Sequence, residues 1–170
     1  QKKIDHLLIK GGGDTTFSFD DLEDLVKKIR SKGIDEISEG IYFDLSFFKQ
    51  RKKHTGSFDK SPLRPYNTMH SALIVNSNKL DLKFSFTPEQ KKLDVSPVFL
   101  PDGVIIQNNL SIGEGNCSDF SSQVSFRERY RKKLLTIVIE GVYPSQCLEK
   151  DHDLAITKTE HYFFGAFKKL

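Results

Sequence analysis

The residue types able to do chemistry in this chain fall in four places. Ser46-Phe47-Phe48-Lys49 has the S-x-x-K spacing of a serine–lysine pair, in which an amine one helical turn on takes the proton of a nucleophilic hydroxyl. That spacing works only on a helix, and here Ser46 follows a strand pattern and precedes a polar loop with no helix cap. Enzymes of this kind also carry S-x-N and K-T-G. The first is absent, and the second is approached only by Lys158-Thr159-Glu160, where Glu replaces the glycine that lets a substrate lie against a strand. No catalytic residue is therefore assigned. The triplet Gly11-Gly12-Gly13 joins a strand pattern to a helix and offers N–H groups of the kind that cradle phosphate. Its spacing fits neither G-x-x-x-x-G-K-[ST] nor G-x-G-x-x-G, and Asp14 adds a negative charge beside it. A structural turn is expected.

His6, His54, His70, His152 and His161 are isolated, with no H-x-x-x-H among them. Asp151-His152-Asp153 reads as a polar loop, so no metal or other cofactor is expected. Cys117 and Cys147 match no zinc spacing. Two readings stay open for them: two separate buried thiols or, in an exported protein, a disulfide closing a 30-residue loop. Such a loop stabilises a fold by roughly 3–4 kcal/mol.

Lys plus Arg number 26 against 23 Asp plus Glu, a net charge of +3, which is a weak bias. The basic residues cluster at Arg51-Lys52-Lys53, Lys91-Lys92 and Arg127 to Lys133. Tyr130 lies in the last cluster, but so does Glu128, and nucleic-acid binding is not expected. In a bacterial envelope these clusters would face acidic glycan or lipid, and Arg51, Lys52 and Lys53 are the candidate glycan-contacting loop of an alternative reading, a stand-alone peptidoglycan-binding module. With 37% hydrophobic and 29% charged residues, the chain is neither disordered nor membrane-spanning, and 14 Phe with no Trp imply a Phe-rich core.

The elements that must position these groups follow from periodicity. Residues 6–10 read as a short buried strand. Ser18 is a helix N-cap, and Leu22, Leu25, Val26 and Ile29 make an amphipathic face that Gly33 ends. A second strand ends at Ile41 and Phe43, giving a strand–helix–strand unit over 5–43. Residues 49–68 form a polar loop. Ser71–Val75 and the alternating Leu80, Leu82, Phe84 and Phe86 read as a hairpin across Asn76-Ser77-Asn78. Further strands are expected at 95–99, 103–107, 122–127 and 134–140, the last central and ended by Gly141 and Pro144, with a helix over 160–170. The fold class is α+β, with a mixed, mostly antiparallel sheet.

Several segments in order resemble one family. His6-Leu7-Leu8-Ile9-Lys10-Gly11-Gly12-Gly13-Asp14-Thr15 looks like its strand followed by G-G-G-D-P-T, with Thr15 where Pro is usual. Lys32-Gly33-Ile34 resembles its L-x-x-x-G-I turn. Glu39-Gly40-Ile41-Tyr42-Phe43-Asp44-Leu45-Ser46-Phe47-Phe48 resembles G-x-[LI]-x-x-D-D-S-x-F, with Leu45 for the second Asp. Ser71-Ala72-Leu73-Ile74-Val75-Asn76-Ser77-Asn78 resembles S-A-L-x-[LV]-N-x-N, and Ile139-Glu140-Gly141-Val142-Tyr143-Pro144 resembles x-G-x-[IY]-P. The family is that of low-molecular-mass penicillin-binding proteins of the D-alanyl-D-alanine carboxypeptidase/endopeptidase type that carry a large inserted region.

The resemblance implies a split catalytic domain, with S-x-x-K before the insertion and S-x-N and K-T-G after it. Residues 1–157 would be the inserted, non-catalytic domain, divisible into 1–48 with 71–157 around a loop at 49–70. Residues 158–170 would start a helix returning to the absent catalytic domain. Gln1 without a Met and Leu170 inside a helix pattern both read as cut ends. The implied setting is the periplasm, the implied partners are that catalytic domain and, through the parent enzyme, peptidoglycan, and an exported setting favours pairing Cys117 with Cys147.

Overall fold

The computed structural model describes residues 2–49, 56 and 59–170. Strand β1 (Lys2–Lys10), helix α1 (Phe19–Ser31) and strand β2 (Ile34–Asp44) form the strand–helix–strand unit, with β1 and β2 parallel. Helix α1 starts where its chemistry says it should. The Ser18 hydroxyl accepts the Asp21 N–H at 3.1 Å and the Asp21 carboxylate accepts the Ser18 N–H at 2.8 Å, a reciprocal cap. It stops at Gly33, whose φ of +81° a side chain would resist. Leu22 and Val26 are its buried residues.

Strand β3 (Lys79–Thr87) is the centre of a three-stranded antiparallel sheet with β4 (Lys92–Pro97) and β8 (Glu149–Ala155). Its alternation is complete: Leu80, Leu82, Phe84 and Phe86 are buried. A second three-stranded sheet has β7 (Leu134–Pro144) between β5 (Val104–Gly113), parallel to it, and β6 (Val124–Arg131), antiparallel. Three of the five strand pairings are antiparallel, so the α+β, mostly antiparallel class holds.

The core lies between these two sheets. Phe84 meets Phe120 of the short helix α2 (Phe120–Gln123) edge-on at 5.2 Å and stacks on Tyr143 at 5.9 Å. Helix α3 (Thr159–Lys169) joins the same core, with Tyr162, Phe163 and Ala166 fully buried. Phe163 reaches Phe43 of β2 at 5.6 Å and so ties the strand–helix–strand unit to the rest.

The structure departs from the pattern in four places, the first being β1, which is not a buried strand: none of its residues is buried and Leu8 is 67% exposed. Ser71–Val75 is not a strand and forms no hairpin with β3, which pairs with β4 and β8 instead. Asn76, Ser77 and Asn78 all take left-handed backbone, with φ of 50°, 52° and 56°. The Asn78 amide is buried and donates to Ile156 O and to Thr159 Oγ1, pinning the start of α3. Asp151-His152-Asp153 is not a loop but the middle of β8. Gly141 does not end β7; it sits inside it at φ +118°, where a Cβ would lie 2.0 Å from Gln123 O. Among the described residues no helix is long and apolar enough to cross a membrane.

Candidate functional site: the rim where β1 and β2 end

Because β1 and β2 are parallel and Lys10 is in register with Asp44, the glycine turn after β1 and the Leu45–Lys49 turn after β2 leave the sheet side by side. Gly11 N–H donates to Asp44 O at 3.0 Å, and Gly13 N–H donates to Ala72 O at 2.9 Å. These bonds explain two of the three glycines. A Cβ on Gly11 would lie 2.2 Å from Ala72 O, and one on Gly13 would lie 2.7 Å from the Phe48 ring at a φ of +78°. The apolar 71–75 segment, which its pattern assigned to a strand, forms the floor under this turn.

The N–H groups of Gly11 and Gly13 are therefore committed to the fold. Asp14 is committed too. Its carboxylate accepts the Thr16 hydroxyl at 2.7 Å and the Thr16 N–H at 2.8 Å, and these bonds hold it below the ordinary Asp range. The triplet is a structural turn.

Ser46 lies on a hydrogen-bonded turn, not at a helix start. Its N–H donates to Asp44 Oδ1 at 2.9 Å. The Ser46 hydroxyl, then this N–H, keep the Asp44 carboxyl below its usual range, with Lys10 Nζ 3.9 Å away. No hydrogen bond joins Lys49 to Ser46 among the described residues, so nothing activates the hydroxyl as a nucleophile. Next to it, Phe47 and Phe48 pack edge to face at 5.0 Å and stay 58% and 41% exposed. Two exposed aromatic rings on a rigid turn, beside one anionic carboxylate, form a rim suited to positioning a ligand rather than to breaking its bonds.

The remaining candidate residues lie elsewhere. Cys117 and Cys147 are joined by a disulfide, which ties the Cys117–Asp119 turn to the β7–β8 connection. Arg51, Lys52, Lys53 and His54 fall outside the described residues. His6 pairs with Glu39 at 3.0 Å and meets Tyr42 edge-on. His161 contacts Gly103 O. No cluster of three or more metal-ligating side chains occurs among the described residues. A groove of about 600 Å³ between α1, β2 and α3 is lined by both apolar residues, Ile29, Ile41 and Phe167 among them, and charged ones such as Arg30, Glu36 and Lys168. The motif that runs from Glu39 to Phe48 marks the rim's residues, but not the packing of the two phenylalanines over the glycine turn.

The sequence matches the model of the D-Ala-D-Ala carboxypeptidase 3 (S13) family over residues 1–170. The chain belongs to that family. Among solved structures, penicillin binding protein 4 (dacB) from Haemophilus influenzae is similar, with a TM-score of 0.69 at 15% identity over 98% of this chain and 36% of that one. A second structure of that protein, complexed with a novel β-lactam, gives a TM-score of 0.60 at 13% identity over 98% and 34%. At these identities the likeness shows a shared fold. This S13-family chain spans about a third of the length of the proteins it resembles. No match to a curated protein was found.

Proposed function

We propose that this chain is a non-catalytic region of a periplasmic D-alanyl-D-alanine carboxypeptidase/endopeptidase. It is an insertion that packs against a serine-hydrolase domain and shapes how peptidoglycan peptides reach it. The observation that carries this reading is the S13 family match over the whole chain, in which Ser46 of the Ser46-x-x-Lys49 spacing lies on a turn bonded to Asp44. The coverage of about a third of each solved relative supports a region of a larger enzyme. Within the region, the exposed Phe47 and Phe48 and the half-buried Asp44 beside them form the surface that guides substrate, because none of them has a catalytic partner among the described residues.

In the intact enzyme, Phe47→Ser/Phe48→Ser should lower turnover of cross-linked peptidoglycan peptides about tenfold, the loss of one modest apolar contact. Acylation by a small β-lactam, which needs no guiding rim, should stay within about twofold. Equal losses for both substrates, or none for either, would count against the access role.

A further inference from the structure

Strand β6 is an edge strand, and its alternation puts Arg127, Arg129 and Arg131 on one face, about 6.6 Å apart along the strand. Arg127 is neutralised by an ion pair with Glu140. The side chains of Arg129, Arg131, Lys132 and Lys133 make no hydrogen bond or ion pair among the described residues, and all four are exposed. The strand register places Leu134 opposite Arg131 and aligns Ile105 with Thr136 and Arg129. Leu134 is 38% exposed and Ile105 43%, so the same face mixes cations with bare aliphatic groups.

The turn is a second, independent observation. Lys132 and Lys133 are the two residues between β6 and β7, and their φ values are 51° and 63°. Two successive left-handed residues are the mark of a type I′ hairpin turn, where Asn-Gly is the unstrained choice. Here two exposed lysines are held in that conformation with no hydrogen bond or ion pair from their side chains among the described residues. Strain kept at an exposed tip points to use of the side chains.

We infer that the β6–β7 hairpin tip is a contact for a bilayer surface that carries anionic phosphate headgroups. Arg129, Arg131, Lys132 and Lys133 face the phosphates, and Leu134 and Ile105 meet the boundary between headgroups and acyl chains. Tyr130 lies on the other face of β6, with Lys158 Nζ 5.5 Å from its ring centre. That contact, and His161 edge-on at 5.1 Å, occupy Tyr130, so it offers no platform for stacking a nucleic-acid base. A hydrated acidic glycan would gain nothing from Leu134 and Ile105. This inference is independent of the access role proposed above.

The test is co-sedimentation of the 170-residue chain with vesicles of phosphatidylglycerol and phosphatidylcholine (1:1) and of phosphatidylcholine alone. Insoluble peptidoglycan serves as the competing surface. The chain should bind the anionic vesicles at 50 mM salt, release at 500 mM, and ignore the neutral ones. Each basic residue at the surface is worth about fivefold in binding, so Lys132→Asn/Lys133→Gly should weaken binding more than tenfold. That variant relieves the turn, so its melting temperature should not fall, which separates lost contact from lost fold. Lys91→Glu/Lys92→Glu, at another turn, should bind within a few-fold of the parent. Binding to both vesicle types alike, undiminished binding by the hairpin variant, or retention on peptidoglycan alone would overturn the assignment.

Discussion

Asp44 serves the rim twice over: its carbonyl receives Gly11 N–H and its carboxylate receives Ser46 N–H. Gly13 is the residue that lets the aromatic pair close over this turn. Gly13→Ala forces a Cβ into the Phe48 ring at a left-handed φ, so it should destabilise the chain by about 2 kcal/mol or more and disturb the rim, read out by urea unfolding. His152 illustrates a different residue-scale effect. It sits on the core face of β8, stacked on Phe126 at 4.5 Å, and burial pushes its pKa below 6.5, with Lys150 and Arg64 adding to the drop and Asp153 opposing it. A depressed histidine pKa means the unfolded chain binds the proton first. The stability it contributes is present above about pH 6.5 and is lost as the pH falls through the folded-state pKa. The melting temperature should therefore drop between pH 7.5 and 5, and less steeply in His152→Phe. Identical slopes in the two proteins would remove His152 as the cause.

At the scale of elements, two connections can be tested by their energetics. The disulfide closes a 30-residue loop, so Cys117→Ser/Cys147→Ser should cost about 3–4 kcal/mol in urea unfolding. The β6–β7 turn should behave oppositely. Lys132→Asn/Lys133→Gly should stabilise by about 1–2 kcal/mol, because it removes two strained residues. The elements readable from sequence were those whose buried side is apolar and periodic. Helix α1 announces itself through Ser18, Leu22 and Val26, and β3 through four alternating apolar residues. Strand β8 did not, because Lys150 and His152 occupy its core-facing positions, and an aliphatic stem or a stacked imidazole does not look apolar in a string of letters. Ser71–Val75 misled in the other direction. Ala72 and Val75 are buried, but beneath the glycine turn, and a run of four apolar residues does not say which surface it covers. The rim was half legible: Asp44 and the glycines were marked by motif, whereas the packing of Phe48 over Gly13 is a tertiary contact that no local pattern records.

At the scale of the molecule, two three-stranded sheets, a parallel strand pair and three helices share one core in a chain that belongs to the S13 family. The same chain spans about a third of the H. influenzae proteins it resembles. The proposed function is that of a region that positions substrate for chemistry done elsewhere. Ser46 and Ser57 are the serines with a lysine three residues on, Lys49 and Lys60, and Ser46 is the one of the two that the structure describes. The direct measurement is labelling of the 170-residue chain with a fluorescent penicillin, followed by mass spectrometry. The account predicts no acyl adduct at any serine under conditions that label H. influenzae penicillin binding protein 4. An adduct on Ser46 that disappears in Ser46→Ala would contradict it.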